Sequence, residues 1–504
     1  MNRGEMYRRL RDANEPWEMI VVGGGATGVG VALDAAARGY RILLLEQSDF
    51  GKGTSSRSTK LIHGGVRYLE QGNIPLVMEA LKERGLLARN APHLVHNLAF
   101  IVPNYDWWEA PFYGLGLKLY DLLAGKYGFG PSRLVSREET LRRLPTIIKE
   151  GLRGGVVYFD GQFDDARLLI HLAATAAAHG AVLLNYARVT ALNQGPDGFI
   201  DGVSFEDMES GEGFSARARV VINATGPFAD SLRRQADPAI EPIIAPSQGV
   251  HLVFDRSFLP GDSAIMVPHT SDGRVLFAIP WHGHTLVGTT DTPLVEPALE
   301  PAATPGEVDF ILKTASRYLA RKPARADVLS VFAGIRPLVR SAQPGNTSAL
   351  SRDHTIRIDR SGLVTICGGK WTTYRRMAED CVDQAVTLAH LAERPCPTAD
   401  LPIHALDPKG LDALIEHDPW LSRPLHPALP YIEAQVVWAV REEMARTVED
   451  VLARRTRALF LNARAAITMA PRVAELVACE LGYGDDWKQG QVETFRRIAS
   501  NYVL

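Results

Sequence analysis

The 504-residue chain carries a formal charge of −3, with 46% hydrophobic and 22% charged residues. That balance supplies apolar surface for a substantial core and excludes a disordered chain or a nonspecific nucleic-acid binder. Four cysteines, Cys367, Cys381, Cys396 and Cys479, form no close ligand cluster, so reduced thiols and no metal site are expected.

The length predicts two or three domains. The opening MNRGEMYRRLRDANEPW is polar, with no apolar stretch leading to a cleavage site. It reads as a loose arm over 1–16 rather than a signal peptide. No run of about 18 uninterrupted apolar residues follows, which leaves a soluble or membrane-surface protein.

Residues 18–50 carry the first strong pattern. Met19–Val22 suits a buried strand and Ala32–Arg38 a helix rich in small residues, with Gly23-x-Gly25-x-x-Gly28 between them. The first glycine permits a tight turn, the second lets a pyrophosphate approach the backbone, and the third lets helix pack on sheet. The helix start offers unpaired N–H groups to phosphates. A second strand, Arg41–Leu45, ends at Glu46, whose carboxylate can accept both ribose hydroxyls of an adenosine. Strand, turn, helix, strand and acid in this order predict dinucleotide binding. The acid disfavours a 2′-phosphate but does not separate NAD from FAD.

Next comes GKGTSSRSTKLIHGGVRYLEQG over 51–72. Its glycines and hydroxyls suit phosphate or ring-edge contacts, and a solvated loop would look similar. YDWWEAPFYGLGLKLYDLLAGKYGFG (105–130) is rich in aromatics and carries Lys118 and Lys126. It reads either as an interfacial patch or as domain core built on Trp107, Trp108, Phe112 and Tyr113. Asp164 and Asp165 precede a small-residue helix and are read as its start rather than as metal ligands. The apolar run Val220–Ile222 leads into Ala224-Thr225-Gly226, a strand followed by a turn. GVHLVF, RVLFAIP, TLVGTT and TIRID, within 246–360, predict a mixed or antiparallel sheet. From about residue 398 the chain reads as helical. Alternating charges in IEAQVVWAVREEMARTVEDVLARRT predict a solvated helical surface rather than a nucleic-acid-binding one.

Eight motifs occur in a telling order: GGGATGVGVALDAAARG, TSSRSTKLIHGGVRYLEQG, FDGQFDDARL, VINATGPFAD, IPWHGHTLVGTTD, GIRPLV, SRDH and GGKWTTYRRMAED. Together they resemble the respiratory, NAD-independent, FAD-dependent glycerol-3-phosphate dehydrogenases over nearly the whole chain. The resemblance implies an α/β fold of the glutathione-reductase-like, DAO-type Rossmann kind, with a β-sheet-based substrate domain and a C-terminal helical domain. The FAD domain would be discontinuous over 17–397, with 80–155 and 246–360 contributing the substrate and membrane side, and the helical domain would span 398–504. Gly23, Gly25 and Gly28 would hold the pyrophosphate and Glu46 the ribose. Thr54, Ser55, Ser56, Lys60, Gly64 and Gly65 would continue the FAD cradle, joined by Ala224 and Gly226. Gly368, Gly369, Thr372 and Thr373 would return to cover the flavin.

On the substrate side the resemblance implies Arg67, Tyr68, Arg336, Arg352 and Lys370, cations and a hydroxyl suited to a phosphorylated polyol. Arg352 is assigned to the phosphate, and Arg336 and Lys370 are also expected to stabilise developing oxygen charge. The reaction implied is oxidation of sn-glycerol 3-phosphate to dihydroxyacetone phosphate, with hydride passing from C2 to flavin N5 and electrons continuing to a membrane quinone. Peripheral attachment to the cytoplasmic face of the inner membrane goes with it; a homodimer is left open. His63 is the candidate proton acceptor, although it also suits a structural hydrogen-bonding role, with His251, His269, His282, His284 and His354 competing. Readings from other classes are an oxidase returning electrons to oxygen, an amine or amino-acid oxidase, a methyltransferase and a nonenzymatic flavin-binding interaction protein.

Overall fold

The computed structural model describes residues 1–70, 72–268, 270, 275–340, 353–405 and 408–504. Two sheets organise the first four-fifths of the chain. One is built on the parallel strands Trp17–Val22 and Ile42–Leu45, flanked by Val182–Leu184 on one side and by Gly213–Asn223 and Val364–Gly368 on the other. Its central segments, Met19–Val22, Ile42–Leu45, Val182–Leu184 and Val220–Ile222, are apolar runs, as expected of a parallel sheet buried on both faces. The helices Ala26–Ala37 and Tyr374–Leu388 pack together there, with Tyr374 close against Gly30.

The second sheet has ten strands among the described residues and is mixed. Ile244–Asp255 pairs antiparallel with Val328–Val339 and with His284–Gly288, while Ser263–Val267 runs parallel to Val95–Asn104. Segment TIRID was grouped with this sheet from its sequence, but His354–Ile358 pairs antiparallel with Val364–Gly368 and edges the first sheet. Its short span and alternating β-branched residues fit either sheet. Pairing to the strand ten residues later decides the matter.

The expected loose arm is instead a docked helix, Arg3–Arg11, capped by Asn2. Met6, Tyr7 and Leu10 are buried, and Arg3 pairs with Asp207 at 2.6 Å. Three apolar residues on one face sufficed, although the polar majority hid them.

The last hundred residues are helical, including Glu433–Glu442, Ala463–Leu481 and Asp485–Ala499. The expected solvated helix over 432–456 does not exist as one element. The α-helix ends at Glu442, and Asp450–Arg455 forms a π-helical turn. Arg454, Arg455 and Arg457 are buried, not solvated. Arg454 and Arg455 both reach Asp49 of the first domain, at 2.5 and 2.6 Å. Several of these charges pair across a domain boundary, and Arg454 also meets Glu449 and Asp450 of its own segment.

Candidate active site

A cavity of about 420 Å³ opens where the carboxyl ends of the first sheet meet the second, the usual ligand crevice of such sheets. Gly23, at φ +112°, turns the chain out of the first strand; a Cβ there would lie 2.6 Å from the Ala224 carbonyl oxygen. A Cβ on Gly28 would lie 1.9 Å from the Gly23 oxygen. Gly28 therefore acts by packing and is not on the cavity wall, whereas Gly23 and Gly25 are. The Ser55 hydroxyl accepts from Ala26 N at 2.8 Å, so this side chain sits at the helix start. Glu46 lines the cavity, accepting from Gly24 N at 2.6 Å and Ser48 N at 2.8 Å. Burial raises its pKa despite those two donors, and further donors from a ribose would suit it. Thr54, Ala224 and Gly226 complete this side.

The late motif does return. Trp371 Nε1 donates to the Ser55 carbonyl at 2.9 Å, and His63 N donates to Thr372 Oγ1 at 3.2 Å. Gly368, Gly369, Lys370 and Thr372 thereby line the same cavity as Glu46 and residues from more than 300 positions earlier. Thr373 does not line the cavity; its hydroxyl donates to the Lys370 carbonyl at 3.3 Å, at the start of the Tyr374–Leu388 helix.

A second cavity of about 160 Å³ adjoins the first. His63 and Arg336 line both, and Gly65 and Tyr68 line the smaller one. Lys370 Nζ lies 4.2 Å from the Tyr68 ring centroid, a cation–π contact. Arg336 is set by its strand: its guanidinium donates to Thr290 O at 3.0 Å and Thr289 Oγ1 at 3.1 Å, and meets Asp291 at 3.4 Å. Arg67 belongs to the short helix Val66–Glu70, but its side chain lies outside the described residues, as does all of Arg352.

Four members of the expected cradle lie off the larger cavity: Gly65, which lines the smaller one, and Ser56, Lys60 and Gly64. Lys60 is fully buried beneath the loop, with Nζ 2.6 Å from Asp165 and 2.8 Å from the Ser56 carbonyl. Its neighbours are the rings of Trp281, Phe332 and Phe460. Ser56 is buried with it and offers its carbonyl to Arg457 as well. Gly64 donates its N–H to Tyr120 Oη at 2.7 Å, facing the second sheet's helices. The placement of Lys60 and Ser56 follows from one cause. A carboxylate at the start of the Asp165–Ala178 helix draws the lysine down, and the left-handed backbone at Lys60 (φ +64°) turns the chain inward. Asp164 caps that helix, accepting from Ala166 N and Arg167 N.

Among the competing histidines, His251 stands on the wall of the larger cavity. His282 meets Asp164, His284 the His282 carbonyl and His354 Asp380, while His269 lies outside the described residues. His251 Nε2 is 3.0 Å from Thr59 Oγ1, and its ring stacks on Phe332 at 4.9 Å. Burial, then the charges of Lys60 and Arg336, push its pKa well below the usual imidazole value. Its sequence signal was a lone histidine in the apolar run GVHLVF paired opposite a glycine: in the register His251↔Gly288, a Cβ on Gly288 would lie 2.2 Å from the imidazole. Lys52 and Arg57 also line the larger cavity; nothing in the motif spacing distinguished them from loop charges.

The residues present fit FAD: a glycine turn and helix start for the pyrophosphate, a buried carboxylate for the ribose, and a late segment closing over the far end. Fold and site together define an FAD-dependent oxidoreductase of the DAO type, and the family described as FAD dependent oxidoreductase matches residues 18–375. The C-terminal domain of alpha-glycerophosphate oxidase matches 410–488. More narrowly, the chain belongs to the FAD-dependent glycerol-3-phosphate dehydrogenase family. It is 39% identical over 99% of its length to the mitochondrial glycerol-3-phosphate dehydrogenase of Rattus norvegicus, covering 75% of that protein. With the SDP6 enzyme of Arabidopsis thaliana the figures are 41%, 93% and 83%. The glycerol-3-phosphate dehydrogenase from Bacillus halodurans, solved with FAD, matches with a TM-score of 0.78 at 30% identity, over 100% of this chain and 97% of that one.

Proposed function

We propose that the smaller cavity receives the substrate and that His63 and Arg336, which belong to both cavities, stand at the point of reaction. As a member of its family the protein is an FAD-dependent enzyme that oxidises glycerol 3-phosphate. The observation that carries the site assignment is the shared wall: among the described residues, the recess lined by Tyr68 and Gly65 shares Thr59, Leu61, His63 and Arg336 with the larger cavity.

Bound FAD supplies the two-electron acceptor. The chain's own groups do the rest. Lys370 and Arg336 offer fixed positive charge to the phosphate and to the oxygen that loses its proton. Arg336 is well suited because three partners hold its guanidinium in one orientation, so little reorganisation accompanies reaction. Arg67, Tyr68 and Arg352 complete the proposed substrate set. The proton acceptor is His63 at the junction; His251 is the second reading, supported by its place on the larger cavity's wall and its contact with Thr59, while burial and the nearby cations weaken it as a base. His63→Gln and His251→Gln, compared by flavin reduction in the absence of oxygen, separate the two. The variant that loses about 10²–10⁴-fold in reduction rate identifies the base.

Electrons then pass to a membrane quinone, and the docking element is the helix Glu109–Ala124. Trp108, Phe112, Leu115, Leu119 and Leu122 recur at four- and three-residue steps along one face and are all exposed. Leu117 and Tyr120 on the other face are buried. The helix shows its apolar stripe to the outside, as an interfacial helix does. Among the described residues no helix is long and apolar enough to cross a membrane, which accords with peripheral attachment. The reading as a whole is tested by adding sn-glycerol 3-phosphate anaerobically to the flavin-loaded protein, then a quinone analogue. Bleaching of the flavin followed by recovery is expected; an unbleached flavin would remove the substrate assignment.

A further inference from the structure

Tyr502 is buried, far along the chain from any motif, in the turn Ser500–Tyr502. Two lines of contact run from it to the cofactor cavity. The first is ionic: Tyr502 Oη donates to Glu300 Oε1 at 2.9 Å, and the same oxygen accepts from Arg57 at 2.7 Å. The other Glu300 oxygen is 2.8 Å from Lys52 Nζ, which also meets Glu449 at 2.6 Å. Lys52 and Arg57 are the two cations that the 51–59 loop places on the cavity wall. The second line is aromatic: Tyr502 packs on Phe460 at 5.5 Å, Phe460 on Phe332 at 4.9 Å, and Phe332 on His251 at 4.9 Å.

We propose that Tyr502 is a positioning residue for the FAD site, acting through Glu300 on the Arg57–Lys52 pair. The proposal rests on FAD occupying the larger cavity. Its physical content is the placement of charge. Glu300 is a single carboxylate serving two buried cations, and the Tyr502 hydroxyl bonds the oxygen that faces Arg57. Arg57 in turn is held flat against the sheet by the Ala333 carbonyl at 3.3 Å. The loop can then present positive charge at one defined place on the wall. Burial of Arg57 argues against a solvent-screened role, since charges at such depth act strongly on a neighbouring redox group. The C-terminal helical domain thereby becomes part of the cofactor site instead of a cap on it.

The test compares Tyr502→Phe and Glu300→Gln with the unaltered full chain. Apoprotein is titrated with FAD, and the loaded proteins are followed by flavin absorption, midpoint potential and the split between kcat and KM. Tyr502→Phe keeps the ring on Phe460 and removes only the hydroxyl; about a fivefold rise in the FAD Kd is expected, because the lost bond is to Glu300 and only part of its effect reaches the cofactor. Glu300→Gln leaves Arg57 and Lys52 less compensated, so the potential rises, whereas Tyr502→Phe moves it down or leaves it. Ser500→Ala, which removes a bond from the same turn to the Arg497 carbonyl of the preceding helix, leaves all four readouts unchanged. If both variants melt earlier yet keep the unaltered FAD Kd, absorption and potential, Tyr502 is an anchor of the fold and the proposal falls. If the unaltered chain itself fails to take up FAD, the fault lies with the cofactor reading.

Discussion

Lys60 shows what burial does to a single side chain. Its pKa is lowered from 10.5 to about 7, first by burial and further by Arg457, with Asp165 opposing both. A lysine whose folded pKa lies below its unfolded one binds fewer protons folded than unfolded between those values, so it penalises folding at low pH. The penalty is complete below about pH 7 and is relieved as pH rises toward 10.5. Lys60→Met is therefore expected to lose this dependence. Urea unfolding at pH 6, 8 and 9.5 should show the unaltered protein gaining on the variant with rising pH, by at most about 1.4 kcal/mol per unit. A parallel pair of curves would mean that Lys60 stays charged throughout. At Gly28 the constraint is steric instead. With a Cβ 1.9 Å from backbone that is itself fixed against Ala224, Gly28→Ala should cost about 1–3 kcal/mol. Weakened FAD retention should accompany it, read by flavin fluorescence released on dilution.

Elements differed in how openly their sequence announced them. The strand–turn–helix–strand over 17–45 was legible because each glycine has its own steric reason and each strand is apolar throughout. The return of 368–372 onto 55–63 was legible only through resemblance, since nothing local in GGKWTT names its partner 300 residues away. Lys60 and Ser56 were misplaced for a related reason: a cation in a glycine-rich loop looks the same whether it faces a phosphate or a buried Asp165. The helix Glu109–Ala124 was ambiguous because a 3–4 apolar repeat marks a buried face in a soluble protein and an exposed one at a membrane. The structure puts Leu115 and Leu122 at 77% and 76% exposure, while Asp121 and Lys118 tie the helix back to Ser132. Leu115→Glu with Leu122→Glu should abolish co-sedimentation with anionic lipid vesicles and leave oxidation of glycerol 3-phosphate with a soluble acceptor unchanged. Undiminished binding would move the docking surface elsewhere.

At the scale of the whole molecule the C-terminal domain is joined to the rest by buried charge as well as apolar contact. Phe332 of the second sheet and Phe460 of the helical domain share one core, and beside it Asp49 holds both Arg454 and Arg455. Glu449 adds Lys52 and Arg454, and Glu443 adds Arg167 at 2.7 Å. Such a network is a poor source of net stability compared with an apolar core, but breaking it from one side is severe. Burial alone would raise the Asp49 and Glu449 carboxyls; the arginines and Lys52 overcome it and hold both at about 2. Carboxylates depressed in this way stabilise the fold fully above their ordinary pKa values of 3.8 and 4.5, and that contribution drains away as pH falls toward 2. Asp49→Asn leaves two buried arginines short of a counter-charge, so at pH 7 it should cost about 3–5 kcal/mol. Because it removes one of the titrating groups, its loss of stability between pH 5 and 3 should also be shallower than that of the unaltered chain. Calorimetry distinguishes this from a local defect: if the network couples the domains, the variant melts earlier in a single transition, and if it does not, the C-terminal helices separate as an early transition of their own.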